Sequence, residues 1–429
     1  MSGESLFLAS GLSSLIPYVA RNIIAALDIG TSTVQTVVAE RVPERDSLQI
    51  LGIGSASSAG VRRGAVIDIE DAAAAVRRSV EAARKAAGVP IRSVWVGVDG
   101  TYVSATSVRG MVAVSRADQE ISPEDVRRAL LAAETFIPKN HNKEVLHMIP
   151  REFKVDNESG IRDPVGMHGV RLEVEALVIE CASVYLRALM KCVEAAGLRV
   201  EDYVFSPLAA AEAVLSKRQK ELGVILLDIG GGAASFIVFE EGVPVHAGVI
   251  PIGGNHITGD VAIGLRTHID VAEQVKLAYG MCAAGDLPKR DQIRLAEFVP
   301  DEEQVFSRRA LAEIVEARLQ DLFELLQKEL RRINRARLLP GGVVLIGGTS
   351  RVPGIVSLTK RELGLPAEPG IPVGFQPELI DGDGPALAAS LGIARWAAGK
   401  AGHGNAGWSR HISHFRGQAW LRWLRALLP

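Results

Sequence analysis

Two short stretches of this chain have the residue types to hold a phosphate group. Asp28-Ile29-Gly30-Thr31-Ser32-Thr33 and Asp228-Ile229-Gly230-Gly231-Gly232 share one order: an aspartate, an isoleucine, then small residues. Glycine lets backbone N–H groups approach an anion without a Cβ in the way. Thr31, Ser32 and Thr33 add hydroxyl donors in the first copy. Asp28 and Asp228 are poor direct neighbours for phosphate. They suit a hydrated Mg²⁺, which keeps several waters and takes few carboxylates. Either loop alone also reads as a hairpin turn with a capping aspartate, but two copies in matching context favour the phosphate reading.

The elements that must position these aspartates are repeated too. "NIIAALDIGTSTVQTVVAE" (22–40) and "LGVILLDIGGGAASFIVFE" (222–240) each run as apolar stretch, glycine-bearing break, apolar stretch. That is a buried strand, a tight turn and a returning strand. A further strand follows each, "SLQILGIGSA" after the first and "VPVHAGVIPIGG" after the second, the latter behind a Glu-Glu-Gly turn. Helical periodicity comes next, as in "DIEDAAAAVRRSVEAARKAAG" (68–88). The expected architecture is two α/β domains of similar plan around a cleft.

Three more segments fit that cleft. "GGVVLIGGTSRVPGI" (341–355) predicts a buried strand running into Gly347 and Gly348, with Thr349 or Ser350 capping a following helix. Two glycines there suit close approach by a flat adenine or a ribose. "DGDGPALAASLGIARW" (381–396) reads as a turn and a helix with a small-residue face. "FSPLAAAEAVL" (205–215) places Pro207 at the start of an Ala-rich helix. Two helices with small faces can pack closely beneath a cleft.

Composition narrows the class. The chain has 429 residues, 48% apolar and 23% charged, with a net charge of −2. It is long enough for two or more domains, and no global field points to nucleic acid. Cys181, Cys192 and Cys282 form no CxxC pair, so they are expected as free core thiols in a reducing compartment. No run has the roughly 18 apolar residues of a membrane-spanning helix. The opening "MSGESLFLASGLSSLIPYVARN" has no Lys or Arg before its apolar stretch, and "YVA" is a poor cleavage site. A disordered extension over 1–21 is expected there.

Taken in order, the five segments resemble the actin-like ATPase fold: first phosphate loop (28–33), first connecting helix (207–215), second phosphate loop (228–235), adenosine loop (347–354) and second connecting helix (384–394). Within it, the chain resembles the FtsA family of bacterial cell-division proteins. The stretches that carry this are "VLHMIPREFKVDNESGIRDPVGMHGVRLE" (145–173), "ECASVYLRALMKCVEAAGLRVEDYVFSPLAAA" (180–211), "PIGGNHITGDVAIGLRT" (251–267), "AEQVKLAYG" (272–280) and "LAEIVEARLQDL" (311–322). The resemblance implies an α/β, actin-like chain: two duplicated RNase H-like domains around a nucleotide cleft, an inserted small α/β domain and a C-terminal amphipathic helix. It implies domain 1A from 22–92, 172–204 and 380–396, and an inserted domain 1C over 93–171. Domain 2A would take 205–245 and 334–379, and domain 2B 246–333. A flexible linker (397–414) and a membrane-targeting helix (415–429) would follow.

The resemblance also implies ligands and partners. ATP and Mg²⁺ would occupy the cleft. Glu273 and Lys276 in "AEQVK" resemble a pair that contacts adenosine; read from spacing alone they are an exposed i,i+3 salt bridge. Gly253, Gly254 and Asn255 resemble a loop facing the phosphates. Ser206 stands where many actin-like relatives place an acidic or amide side chain that orients water. Hydrolysis is therefore expected to be slow at most, with no catalytic residue assigned. The helix "SRRALAEIVEARLQDLFELL" (307–326), with Arg309 and Arg318, would receive the acidic C-terminal tail of the tubulin-like protein FtsZ; its plain reading is a solvated amphipathic surface helix. Self-association into filaments and contacts with later division proteins are implied as well.

The closing peptide can be weighed physically. Behind the Gly- and Ser-rich segment 397–414, a helix over 418–428 gathers Trp420, Leu421, Trp423, Leu424, Leu427 and Leu428 on one side, with Arg422 and Arg425 opposite. Such a helix reaches only about 16 Å, half of a ~30 Å hydrocarbon core. It can lie in the interface of an anionic membrane, each arginine adding about 1 kcal/mol. Attachment of this kind is weak and reversible, so a filament presenting many tails would bind far better than one copy. The expected place is the cytoplasmic face of the membrane at the division septum. Competing readings are a PilM-like platform of type IV pilus assembly, a sugar kinase, which would need an acidic base not assignable here, and a chaperone ATPase, which would need a C-terminal substrate domain.

Overall fold

The computed structural model describes residues 22–401, apart from 43–46, 138–141, 289, 301 and 381. The first lobe begins with the meander β1 (Ile23–Ile29), β2 (Thr33–Val42) and β3 (Ser47–Ser57), all antiparallel neighbours. The continuous apolar run of β1 is buried because both faces of the sheet are covered. Helix α1 (Ile69–Ala87) follows. Asp68 caps it by accepting a 3.0 Å hydrogen bond from Asp71 N, and Gly88 ends it in the left-handed region. Its Ala72, Ala73, Ala75 and Val76 form the buried face. Strand β4 (Ser93–Val98) returns parallel to β1.

The chain then leaves the first lobe to build an inserted domain. β5 (Val103–Ala113), β6 (Lys143–Val155), β7 (Glu158–Ile161) and β8 (Arg171–Ala182) pair antiparallel in the order β5-β8-β6-β7. Helix α2 (Pro123–Thr135), opened by a Ser122/Asp125 capping box, packs Val126, Ala129 and Leu130 into a core with Phe153, Leu172 and Val174. Helix α3 (Ser183–Ala195) and strand β9 (Arg199–Phe205) lead back, completing a sheet of order β9-β4-β1-β2-β3.

Helix α4 (Ser206–Val214) leads to the second lobe, which repeats the first plan. β10 (Val224–Ile229), β11 (Ala234–Glu240) and β12 (Val243–Ile250) form an antiparallel meander. Helices α5 (Gly254–Leu265), α6 (Ile269–Tyr279) and α7 (Arg308–Arg332) intervene before β13 (Gly342–Ile346) joins parallel to β10. Helix α8 (Ile355–Leu363) and strand β14 (Ala367–Pro369) give the order β14-β13-β10-β11-β12, strand for strand the pattern of the first sheet. Helix α9 (Gly384–Ala401) returns to pack on α4 and on β1.

One face of α7 buries Leu311, Val315, Leu319, Leu322, Phe323, Leu326 and Leu330 against the outer face of the second sheet. The opposite face of that sheet shares a core with the first lobe through α4 and α9, including Leu226, Ile237 and Ile346. The two connecting helices touch through small residues: a Cβ on Gly392 would lie 2.4 Å from Ala209 O. The three cysteines are free and buried.

Several expected boundaries move. The inserted domain does not start at 93, because β4 hydrogen-bonds between β1 and β9 in the first sheet. It does not end at 171, because β8 is the strand that holds its sheet together. The boundary at 245/246 falls inside β12, and residues 397–401, expected as linker, continue α9. Neither Thr349 nor Ser350 caps α8. They lie in a short 3₁₀ turn, Ser350 Oγ donates back to Gly347 O at 2.7 Å, and Gly354 occupies the cap position. The N-terminal extension (1–21), the rest of the linker (402–414) and the helix with Trp420, Leu421, Arg422, Trp423, Leu424, Arg425, Leu427 and Leu428 lie outside the described residues.

Candidate functional site

Both aspartates end a strand whose parallel neighbour presents a glycine beside them. Asp28 closes β1 next to Gly97 of β4, and a Cβ there would meet Asp28 Oδ1 at 3.1 Å and Ser206 Oγ at 2.5 Å. Asp228 closes β10 next to Gly347 beyond β13, where a Cβ would meet Asp228 Oδ1 at 2.3 Å. The following turns are alike: Gly30 N donates to Thr33 O, and Gly230 N to Ala233 O, each at 3.0 Å. Duplicated strand order thus places two equivalent loops at the carboxyl ends of parallel strands, where α/β sheets open their crevices.

The second loop is where the other predicted residues gather. Gly254 N donates to Gly230 O at 2.9 Å and Asn255 N to Gly231 O at 2.8 Å. Thr349 Oγ1 donates to Gly230 O at 3.2 Å, tying the expected adenosine loop to the same backbone. A Cβ on Gly253 would lie 2.6 Å from Gly230 O, and one on Gly348 would meet nothing within 4 Å. Lys276 Nζ donates to Glu273 at 2.6 Å, to Thr258 Oγ1 at 2.9 Å and to Gly254 O at 3.4 Å, with its side chain only 11% exposed. That is a fixed internal network reaching the loop rather than a solvated surface pair.

The two lobes meet across the loops. Ser32 Oγ donates to Asn255 Oδ1 at 3.1 Å. A Cβ on Gly231 would fall 2.0 Å from Ser32 Oγ, and one on Gly232 2.6 Å from Thr31 Oγ1, so only glycine fits there with the lobes this close. Thr31 Oγ1 accepts from Gly64 N at 3.0 Å.

Asp99 belongs to this site and is not among the predicted residues, and Ser235, the end of the predicted second loop, joins it. Asp99 follows β4, and its Oδ1 accepts from Gly100 N at 2.7 Å and from Ser235 Oγ of the second lobe. The signal was present: "SVWVGVDG" is an apolar strand ending on Asp-Gly, as the other two are strands ending on aspartate. Burial, and then the charge of Asp99, push the Asp28 carboxyl up to about 7, with Ser206 the one influence that lowers it. Asp99 is pushed up to about 6 by burial, its bonds to Ser235 and Gly100 pulling the other way. Asp228 is driven well above the usual carboxylate range by burial and by the other two aspartates. No lysine or arginine is among the groups that shift them. Ser206 Oγ leans toward Asp28 without forming a hydrogen bond and is buried without a partner.

Arg309 and Arg318 lie away from this cleft on α7. Arg318 holds Asp260 of α5 through two bonds of 2.6 and 2.9 Å and Asp321 at 3.1 Å. Arg309 pairs with Glu313 at 3.2 Å near the start of the helix.

The family model described as "Cell division protein FtsA" matches residues 225–392, and that of the "SHS2 domain inserted in FTSA" matches 100–180, close to the limits of the inserted sheet. The chain is 39% identical to the cell division protein FtsA of Pseudomonas aeruginosa over 351 residues, covering 82% of this chain and 83% of the relative. Identity to FtsA of Bacillus subtilis is 39% over 338 residues, 79% and 76% of the two chains. For FtsA of Escherichia coli it is 31% over 393 residues, 90% and 92%. Among solved structures, a PilM–PilN type IV pilus biogenesis complex aligns with a TM-score of 0.64 at 19% identity, covering 87% of this chain and 98% of that one. MreB5 of Spiroplasma citri bound to ADP aligns at 0.51 and 14% identity, covering 89% and 99%. These two share an actin-like fold with this chain.

Proposed function

Given that this chain belongs to the FtsA family of cell-division proteins, we propose that it binds ATP with Mg²⁺ in its cleft, polymerises on the cytoplasmic membrane and tethers FtsZ there. The observation that carries the nucleotide reading is the paired loops after Asp28 and Asp228 at equivalent strand ends. Phosphates would lie against the turns Gly30–Thr33 and Gly230–Gly232, on N–H groups beyond those of Gly30 and Gly230, which close the turns, with Gly253, Gly254 and Asn255 alongside. The base would lie toward Gly347, Gly348, Thr349, Glu273 and Lys276.

The acidic floor of the cleft fits a divalent cation held through water. Three aspartates act on one another with no positive partner among the described residues, and the buried Ser206 hydroxyl beside them lacks an acceptor there. Among the described residues no three His, Cys, Asp or Glu side chains are placed to chelate a bare ion, which suits contact through a hydration shell. When bound, the cation would neutralise phosphate charge. Asp28 and Asp228 would orient its waters, and the glycine loops would hold the phosphates without Cβ interference. Ser206 opens α4 where a water-orienting acidic or amide side chain would stand, and a hydroxyl makes a poor general base. Turnover is accordingly slow at most, and nucleotide acts mainly as a latch between lobes that share the α4–α9 joint.

The tail carries the membrane reading: Trp420, Leu421, Trp423, Leu424, Leu427 and Leu428 against Arg422 and Arg425. No helix among the described residues is long and apolar enough to cross a membrane. The FtsZ C-terminal tail would dock on α7 near Arg309 and Arg318, and later division proteins would be recruited to the filament. The pilus-platform alternative rests on fold alone. Co-sedimentation with anionic liposomes, with and without ATP and the FtsZ tail peptide, tests the reading. The full chain should pellet with liposomes and carry the peptide down, while a chain ending at 414 should stay in solution yet still bind nucleotide. Pelleting of the truncated chain would overturn the tether.

A further inference from the structure

The aspartate after β4 is not explained by the two-loop plan. Asp28 and Asp228 are equivalent by duplication, whereas Asp99 has no counterpart: by strand register the corresponding position after β13 is Gly348. Asp99 is also where the lobes are bonded at the cleft floor. Its partner Ser235 sits on β11 directly opposite Asp228 in the β10–β11 hairpin. Both bonds fall on Oδ1, leaving Oδ2 without a protein partner among the described residues.

We propose that Asp99 makes closure of the cleft depend on the divalent cation, by standing as a third carboxylate on the cation's hydration shell while Ser235 holds it to the second lobe. The inference rests on the nucleotide–Mg²⁺ reading above. Two observations carry it beyond an acidic cluster. One is the bond from Asp99 across the lobes to the residue paired with Asp228. The other is the buried, unpartnered Ser206 hydroxyl beside Asp28, which indicates that the polar floor is completed by a group from outside the chain. Without a cation, three carboxylates face one another in a low-dielectric floor, and separating the lobes relieves their repulsion. With one, the same three charges become its anionic surroundings and the Asp99–Ser235 bond is retained.

Hydrogen exchange of the full chain over segments 96–104 and 228–240 reads this directly. Four conditions are compared: EDTA, MgCl₂, AMP-PNP with EDTA, and AMP-PNP with MgCl₂. Wild type should exchange these segments at least threefold more slowly with MgCl₂ than with EDTA. Asp99→Asn can still accept from Ser235, so it should give the slow rate under all four conditions, with apparent Mg²⁺ affinity about tenfold weaker. Ser235→Ala should keep Mg²⁺ affinity within twofold but lose the slowing. Wild-type Mg²⁺ dependence in Asp99→Asn, or none in wild type, overturns the inference. Failure of wild type to bind AMP-PNP would instead strike the nucleotide reading, and the MgCl₂-against-EDTA pair without nucleotide would still decide the role of Asp99.

Discussion

Asp228 Oδ1 occupies the space that a side chain on Gly347 would need, 2.3 Å from the position of its Cβ. Gly347 also sits at φ +85°, and its N–H donates to Pro385 O at 2.8 Å, at the start of α9. One glycine therefore joins the second aspartate, the turn after β13 and the second connecting helix.

Gly347→Ala should be among the most damaging single-atom additions to this chain. It meets both the left-handed backbone region and the carboxylate, so a loss of about 1–3 kcal/mol is expected. Urea unfolding monitored by circular dichroism checks the stability. Binding of a fluorescent ATP analogue should weaken at least tenfold even where the variant is fully folded.

Lys276→Met keeps most of the side-chain volume and removes the three donated bonds to Glu273, Thr258 and Gly254. Nucleotide affinity should fall about tenfold, or ~1.4 kcal/mol. Isothermal titration with ATP decides the point; unchanged affinity would return the pair to a purely structural role.

His147 provides a pH dependence whose sign is fixed by its environment. It is buried on β6, and its Nε2 accepts from Phe205 N at 3.0 Å, joining the inserted domain to β9. Burial first, and then the Lys400 charge, push its pKa down to about 3. The unfolded chain titrates near 6.5, so between these values it binds the extra proton. The contribution of neutral His147 is present above about pH 6.5 and lost as pH falls toward 3, by up to ~1.4 kcal/mol per pH interval. Thermal melts of wild type and His147→Gln between pH 4 and 8 should converge as pH falls.

Arg309 and Arg318 should separate in their effects. Arg318→Ala leaves Asp260 without its two-bond partner, and a loss of about 1 kcal/mol in stability is expected for such a partly exposed pair. Arg309→Ala breaks only an exposed i,i+4 pair, so stability should hold within ~0.5 kcal/mol. If α7 receives the FtsZ tail, Arg309→Ala should still weaken peptide binding several-fold by fluorescence anisotropy.

Much of the candidate site is legible in the sequence. Asp28 and Asp228, their glycine turns and the strands on either side are local patterns, since a strand, a turn and a returning strand are contiguous in sequence and repeat in the same order. The connecting helices showed themselves by small residues at helical spacing, and Gly392 does lie against Ala209. The segment after β13 has a different local role from the helix cap its sequence suggests, because Thr349 is drawn to Gly230 O rather than to a helix end.

Non-local pairing was harder to read. β4 belongs to the first sheet and β8 to the inserted one, a partition made by hydrogen bonds to strands distant in sequence. Spacing alone leaves Lys276 open between a site residue and half of a surface pair, and only the fold brings Gly254 and Thr258 within its reach. Asp99 carried the same strand-then-aspartate signal as its two neighbours, yet nothing local tells which such aspartates face a cleft.

The amino-acid order by itself determined the duplicated plan, the two glycine-bearing turns after Asp28 and Asp228 and the family, because each depends on residue types at short and repeated spacing. Only the tertiary structure decided that three aspartates share one floor and that Ser235 reaches Asp99 across the lobes. Those contacts arise where two separately folded sheets meet, and their geometry is set by packing between segments that no local pattern connects.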